Sequence, residues 1–398
     1  MKYIVVLGDG MADEPIEALG GKTPLEAANT PTLDALASAG EMGLTQNVPA
    51  GMHPGSEIAN LSVLGYDPKV DFTGRSPLEA LSVGVDMGQA DVILRANLVT
   101  LTEKEPYEEK TILDHSSGEI STEDADILMD AVRNALNTDT IHFYTGTSYR
   151  HICQWNQGQV VGLEPPHDHL TQVIGPYLPG HPLLRDMMKR SYDILNNHPL
   201  NLQRAKQGLN KANSLWFWGA GTKPNLASFY SRTGLKGAMI SAVDLLKGIA
   251  VGAGMAVYEV PGATGSLHTN YEGKAQAAID ALLKDGTDFA YIHLEGPDEM
   301  GHQGLLKEKI QSIEYLDKRI VAPVKKAMEE AGEDFRMLVL PDHPTPIRLR
   351  THTAEPVPYV LYDSTRQMRK RAFYNEKEAA MTAIFQQEGH RLLEQLLR

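Results

Sequence analysis

MKYIVVLGDG, residues 1–10, opens with an apolar run over 3–7 that stops at Gly-Asp-Gly. The run is too short for the apolar region of a signal peptide and no small-residue cleavage site follows, so it reads as a strand. After a polar turn comes TPLEAANTPTLDALASAG (23–40), in which Leu33, Leu36 and Ala37 recur at helical spacing behind a Thr-Pro start. This is a βα opening. The same alternation returns late in the chain, where FAYIHL (289–294) and MLVL (337–340) are short apolar runs between polar or proline-bearing loops and helical stretches. Strands alternating with helices predict an α/β fold, a mostly parallel sheet with helices on both faces. In such sheets chemistry gathers beyond the carboxyl ends of the strands.

A chain of 398 residues exceeds what one hydrophobic core organises, which favours two domains. The stretch 78–218 differs from its flanks. It carries its own strand signals in DVILRANLVTL (91–101) and HFYTGTSYRHICQW (142–155), a helix in STEDADILMDAVRNAL (121–136), and a loop rich in Pro and His. The residues suited to chemistry lie before 60 and after 290 and must meet in space. We therefore expect a discontinuous α/β domain, 1–77 with 219–398, into which a smaller α+β domain, 78–218, is inserted.

The composition removes several function classes. A formal net charge of −14 with no basic stripe argues against nucleic acid. No apolar stretch approaches the roughly 18 to 20 residues of a membrane helix, so the expectation is a soluble, cytoplasmic protein without a membrane partner. Cys153 is the sole cysteine, which excludes an intrachain disulfide and a thiolate metal cluster. Any metal must be held by oxygen and imidazole.

Such ligands stand where the fold would expose them. Asp9 follows the first strand between two glycines, although a turn would also favour Asp there. Asp298 and His302 in PDEMGHQG are four apart, which puts both on one face of a helical turn. Asp342 and His343 follow the strand MLVL directly, and His352 lies nine residues beyond His343 across a proline-rich loop. Carboxylate with imidazole and no thiolate suits manganese, zinc or cobalt better than magnesium. Ser56 in HPGSEIANLSVLGYDP stands at the start of a helical segment, a position where serine commonly only caps. Together the seven residues could hold two divalent ions with a serine between them, and metals there would activate its hydroxyl and clamp a phosphoryl group.

The segments GDGMAD, TPLEAANTPTLDALA, HPGSEIANLSVLGYDP, GATGSLHTNYEGKA, PDEMGHQG and LPDHPTPIRLRTHTAEPVPYVLY run through nearly the whole chain. In them the sequence resembles the archaeal-type phosphoglycerate mutases that need no 2,3-bisphosphoglycerate, a branch of the alkaline phosphatase superfamily. The resemblance implies that Ser56 is the nucleophile. It also implies that Asp9, Ser56, Asp342 and His343 share one metal, manganese foremost, and that Asp298, His302 and His352 hold the second. It implies a phosphatase-like domain with an inserted substrate-handling domain, in which Arg95, Asn97, Asp114 and Arg150 hold the substrate, while Lys247 of the phosphatase-like domain reaches the phosphate. His115 stands where Tyr is usual and His268 where Asp is usual.

The implied reaction interconverts 3-phosphoglycerate and 2-phosphoglycerate through phosphoserine, in glycolysis and gluconeogenesis. The same motifs are compatible with a homoserine kinase-like relative or a phosphomonoesterase. A nucleotide-binding glycine loop of the common kinds is absent from the sequence. The resemblance sets no oligomeric state.

Overall fold

The computed structural model describes residues 1–366, 368 and 371–398. Its strands are β1 (Lys2–Gly8), β2 (Glu41–Thr45), β3 (Val92–Leu101), β4 (Ile112–Asp114), β5 (Ile141–Tyr144), β6 (Arg150–Trp155), β7 (Ser214–Thr222), β8 (Gly237–Ile240), β9 (Ala256–Val257), β10 (Phe289–Leu294), β11 (Phe335–Leu340), β12 (Val357–Asp363) and β13 (Phe385–Gln386). They form an eight-stranded sheet in the order β13-β2-β12-β11-β1-β10-β8-β9 and a second sheet in which β4, β6 and β7 all pair with β3.

The chain packs as two units, one made of Met1–Phe72 with Asn225–Arg398, the other of Thr73–Pro224. These divisions fall five or six residues from 77/78 and 218/219, where the sequence reading put them. The reason is the helix Arg75–Ser82, which packs on β3 and β7 and so goes with the second unit.

In the first unit β1 runs parallel to β10 on one side and to β11 on the other. All six residues of β10 and of β11 are buried, because a central parallel strand is covered on both faces, and this is why, His293 and Arg336 apart, they are apolar throughout. The register sets Leu7 opposite both His293 and Leu340, so the three carboxyl ends lie side by side. Asp9, the helix Gly296–Gln303 and the Asp342-His343 pair therefore start from one line. Only β12 runs against the sheet, pairing antiparallel with β11 and β2. No helix among the described residues is long and apolar enough to cross a membrane.

The second unit is an antiparallel sheet with the helices Thr122–Leu136 and Pro182–Leu195 packed beside it. Ser121 caps the first of these by accepting from the Asp124 N–H. The segment 142–155 is not one strand: a turn with Ser148 at φ 56° divides β5 from β6.

Behind the central strand ends lies a buried polar knot. The wholly buried Lys309 donates to Asp13 Oδ2 and to the Thr345 carbonyl, both at 2.8 Å, tying the loop after β1 to the loop after β11. Glu376 accepts from the Asp13 N–H at 3.1 Å and from Thr23 Oγ1 at 2.6 Å. Burial pushes the Glu376 carboxyl up to about 7, from an ordinary value of 4.5. The folded chain then holds this proton where the unfolded chain has lost it, so the stabilisation present below pH 4.5 is lost as pH rises toward 7. Glu376→Gln is expected to be more stable than the parent at pH 8, by on the order of 3 kcal/mol, and nearly equal to it at pH 4.5. Urea unfolding of both proteins at the two pH values measures this, and a difference independent of pH would remove burial of the ionised carboxyl as its cause.

Candidate active site

Asp9 leaves β1 with its N–H bonded to the Leu294 carbonyl, which points the side chain outward at the strand end. Its carboxylate is buried; Oδ2 lies 2.8 Å from His293 Nε2, while Oδ1 has no hydrogen-bond partner. Asp342 Oδ1 accepts from the N–H groups of Gly10 and His343, and its Oδ2 accepts from Asn60 Nδ2 at 3.0 Å. Gly10 has φ +59°, and a Cβ there would run into Asp298 and Thr345, so only glycine lets the two loops close this tightly.

Ser56 is the first residue of the helix Ser56–Val63, whose N-cap is Gly55, so its hydroxyl is not spent as a cap. Instead Ser56 Oγ lies 3.2 Å from His343 Nε2. Oxygen and nitrogen atoms of Asp9, Asp342 and His343 lie within 4.8 Å of one another, as do those of Asp298, His343 and His352. His343 belongs to both groups.

On the helix Gly296–Gln303 the spacing of four brings His302 Nε2 to 3.2 Å from Asp298 Oδ2, and His352 Nε2 lies 3.3 Å from Asp298 Oδ1. His302 Nδ1 bonds the Arg350 carbonyl at 2.9 Å and His352 Nδ1 bonds the Pro54 carbonyl at 2.8 Å. A carbonyl can only accept, so each Nδ1 carries a proton, and Nε2 is the atom of each ring that meets Asp298, either with a second proton or as a lone pair open to a metal. These two nitrogens are 2.9 Å apart. Such lone pairs repel unless a proton or a metal cation sits among them. The demand for positive charge is visible in His302, which its bond to Asp298 raises to about 9. Burial opposes ionisation of Asp298, but hydrogen bonds from His302 and His352 outweigh it and hold that carboxyl well below the usual range. Asp9 goes the other way, raised by burial and then by the charges of Asp342 and Asp298. Buried carboxylates crowded together, an unpartnered oxygen and convergent imidazole nitrogens fit divalent metal ions.

Three residues of this centre escaped the sequence reading. His293 is buried in β10, with Nδ1 3.1 Å from Ser241 Oγ and its basicity pushed down to about 3 by burial. A histidine one place before the end of an otherwise apolar strand was the available signal. Asn60, one helical turn beyond Ser56, donates to the Ser56 carbonyl as well as to Asp342 and accepts from the Tyr291 hydroxyl. Thr345 donates to Asp298 and lies 3.4 Å from His343 Nδ1.

The expected substrate contacts scatter. In the second unit Arg95 and Asn97 from β3 line a cavity of about 160 Å³ together with Arg75, His115, Tyr149, His167 and Trp218. Arg95 Nη1 is 3.1 Å from Glu79 and its guanidinium lies over the Trp218 ring; burial lowers it to about 10, with Glu79 opposing. Arg95 Nε, Asn97 Oδ1 and Trp218 Nε1 are buried without partners. Arg150 lies over the Tyr149 ring. Asp114 is turned into its own loop, accepting from the backbone N–H groups of Ser116 and Gly118, the Ser116 hydroxyl and Asn210. In the first unit Lys247 donates to both oxygens of Glu259 at 2.8 Å, and not to a group of the metal-ligand cluster.

A mostly parallel α/β sheet carrying a serine and carboxylate–imidazole groups at its carboxyl ends defines a class, the α/β proteins built for metal-assisted chemistry at a hydroxyl. Within it, the sequence pattern of the 2,3-bisphosphoglycerate-independent phosphoglycerate mutases matches residues 37–201. The protein of that name from Methanosarcina acetivorans is 48% identical over 369 residues, covering 91% of this chain and 90% of its own. The structure of a cofactor-independent phosphoglycerate mutase from Thermoplasma acidophilum is similar with a TM-score of 0.65 and 26% identity, covering 100% of this chain and 99% of that one. A Pyrococcus horikoshii protein of known structure gives a TM-score of 0.82 at 29% identity, covering 100% and 96%. The chain belongs to the 2,3-bisphosphoglycerate-independent phosphoglycerate mutase family.

Proposed function

We propose that this enzyme interconverts 3-phosphoglycerate and 2-phosphoglycerate through a phosphoserine at Ser56, without 2,3-bisphosphoglycerate, in cytoplasmic glycolysis and gluconeogenesis. The observation that carries this reading is the uncapped Ser56 hydroxyl 3.2 Å from His343 Nε2, at the edge of two groups of metal-ligating side chains. Asp9, Asp342 and His343 with Ser56 would hold one divalent ion, and Asp298, His302 and His352 would hold the second. Manganese suits this donor set best, with zinc or cobalt also compatible. When bound, the ions lower the serine's pKa and neutralise charge on the phosphoryl oxygens.

Ser56 Oγ gives up its proton and attacks phosphorus in line with the bond to the substrate's 3-oxygen; that bond breaks and the glycerate 3-oxygen takes up a proton. The 2-hydroxyl then loses its proton and attacks the phosphoserine, whose bond from phosphorus to Oγ breaks, and Ser56 Oγ takes a proton back. Asn60 keeps the Ser56 turn and Asp342 in fixed relation through its two bonds. The Thr73–Pro224 unit handles the substrate: Arg75, Arg95 and Arg150, opposed nearby by Glu79, supply positive charge for the acid, and Asn97 and Trp218 supply unpaired polar atoms. Asp114 fixes the loop that carries His115.

The test is metal-loaded protein given 3-phosphoglycerate alone, with 2-phosphoglycerate and free phosphate followed together. Metal-dependent appearance of 2-phosphoglycerate is expected; free phosphate alone would make the protein a phosphatase. Arg95→Gln is expected to lower kcat/KM for 3-phosphoglycerate by about 100-fold, mostly through KM, because it removes a buried cation from a site for an anion. Steady-state kinetics in both directions checks this, and an unchanged KM would move the acid elsewhere.

A further inference from the structure

We propose that His293 is a positioning residue for the metal centre, one that aims Asp9 Oδ1 at its ion by binding the other carboxylate oxygen. This rests on the reading of Asp9 as a metal ligand. The ring is fully buried, with Nε2 2.8 Å from Asp9 Oδ2 and Nδ1 3.1 Å from Ser241 Oγ. Ser241 in turn accepts from the Val243 N–H at 3.1 Å, which leaves its hydroxyl proton for His293 Nδ1. A ring that accepts at Nδ1 carries its proton on Nε2, and a carboxylate serving as a metal ligand is ionised and can only accept. The relay therefore runs in one direction, from Val243 through Ser241 and His293 to Asp9. The remaining oxygen, Oδ1, is the one left buried without a partner, and it is also the one that faces His343 Nε2, at 3.6 Å.

The backbone holds the ring as firmly as the side chains do. His293 sits opposite Leu7 in the parallel register of β10 on β1, and Asp9 follows two residues after Leu7. The His293 carbonyl accepts from the buried Lys274 ammonium at 3.1 Å. Outer partners of this kind set the orientation and basicity of a ligand, and their loss weakens metal binding by about 10- to 100-fold.

The experiment is titration of metal-free enzyme with manganese in a calorimeter, comparing the parent with His293→Phe, His293→Gln and Ser241→Ala. The parent is expected to show two binding steps. In His293→Phe one step weakens by about 10- to 100-fold and the other stays within about threefold, since the ring's hydrogen bonds go to Ser241 and Asp9 and not to Asp298, His302 or His352. Glutamine can put an amide N–H near the position of Nε2, so His293→Gln recovers most of that loss. If His293→Phe does not fold, Ser241→Ala decides: selective weakening of the same step supports the relay, and unchanged affinity overturns it. A folded His293→Phe with both steps unchanged, or a His293→Gln as weak as Phe, also overturns it. A parent that binds no manganese would instead defeat the metal reading of the site.

Discussion

Replacing Ser56 by alanine is expected to lower interconversion of the two phosphoglycerates by at least about 10⁴-fold, because it removes the atom that carries the phosphoryl group between the two oxygens. The fold has little stake in this hydroxyl. Ser56 stands at the first helical position, its neighbour Gly55 serves as the N-cap, and its recorded side-chain bond is the one to His343. Asp342 keeps its bonds from Gly10, Asn60 and the His343 N–H in the variant. The Tm should therefore move by no more than a few degrees. Peptide mapping after incubation with 3-phosphoglycerate is expected to find phosphate on the Ser56 peptide of the parent and none on that of the variant. Activity within tenfold of the parent would mean that phosphate passes directly or through another residue.

The second large effect is expected from removing metal. Stripping the protein with a chelator at neutral pH should abolish activity to the limit of the assay and lower Tm by about 3 °C, the shift that about 2.7 kcal/mol of linked binding free energy gives in a chain of this size. Electrostatics supply the reason. Asp9, Asp298 and Asp342 are buried close together, and without a cation one of them must take a proton or endure its neighbours' charge, as the raised Asp9 carboxyl indicates. Manganese added back should restore both Tm and activity, and magnesium should restore less, since imidazole is a poor ligand for it. Differential scanning calorimetry with and without each ion reads the effect. A Tm indifferent to metal would mean that the cluster is satisfied by protons alone.

The sheet was legible in the sequence because its central strands are largely apolar runs that stop at glycine, proline or acidic residues, as 3–7 and 289–294 do. The ligand residues stood out for the same reason: carboxylates and imidazoles placed just past such runs have few structural excuses. His293 lies inside a run instead of beyond it, where its type suggests a core residue, and only the register shows Asp9 beside it. Arg75 and Glu79 were invisible because a four-residue charge pair on a helix is ordinary; their meaning comes from Arg95 reaching the same Glu79 carboxylate across from β3. Asp114 shows the converse. Its position in LDHSSGEIS marks it as a polar contact, but Ser116 and Gly118, two and four residues on, take its oxygens for a tight local turn.

The placement of β1 between β10 and β11 has a consequence for how the protein comes into being. The strand β1 lies at the middle of the sheet and leaves the ribosome before both of its neighbours, which are made more than 280 residues later. Until then β1 has both edges open and must avoid pairing with other chains, a long-range closure of the kind that makes folding slow. The ligands share this schedule, since Asp342, His343 and His352 are translated more than 280 residues after Ser56. A nascent chain can therefore offer an ion only scattered carboxylates and imidazoles. The metal is chosen after synthesis, by a finished cradle, from whatever the cell supplies at that moment.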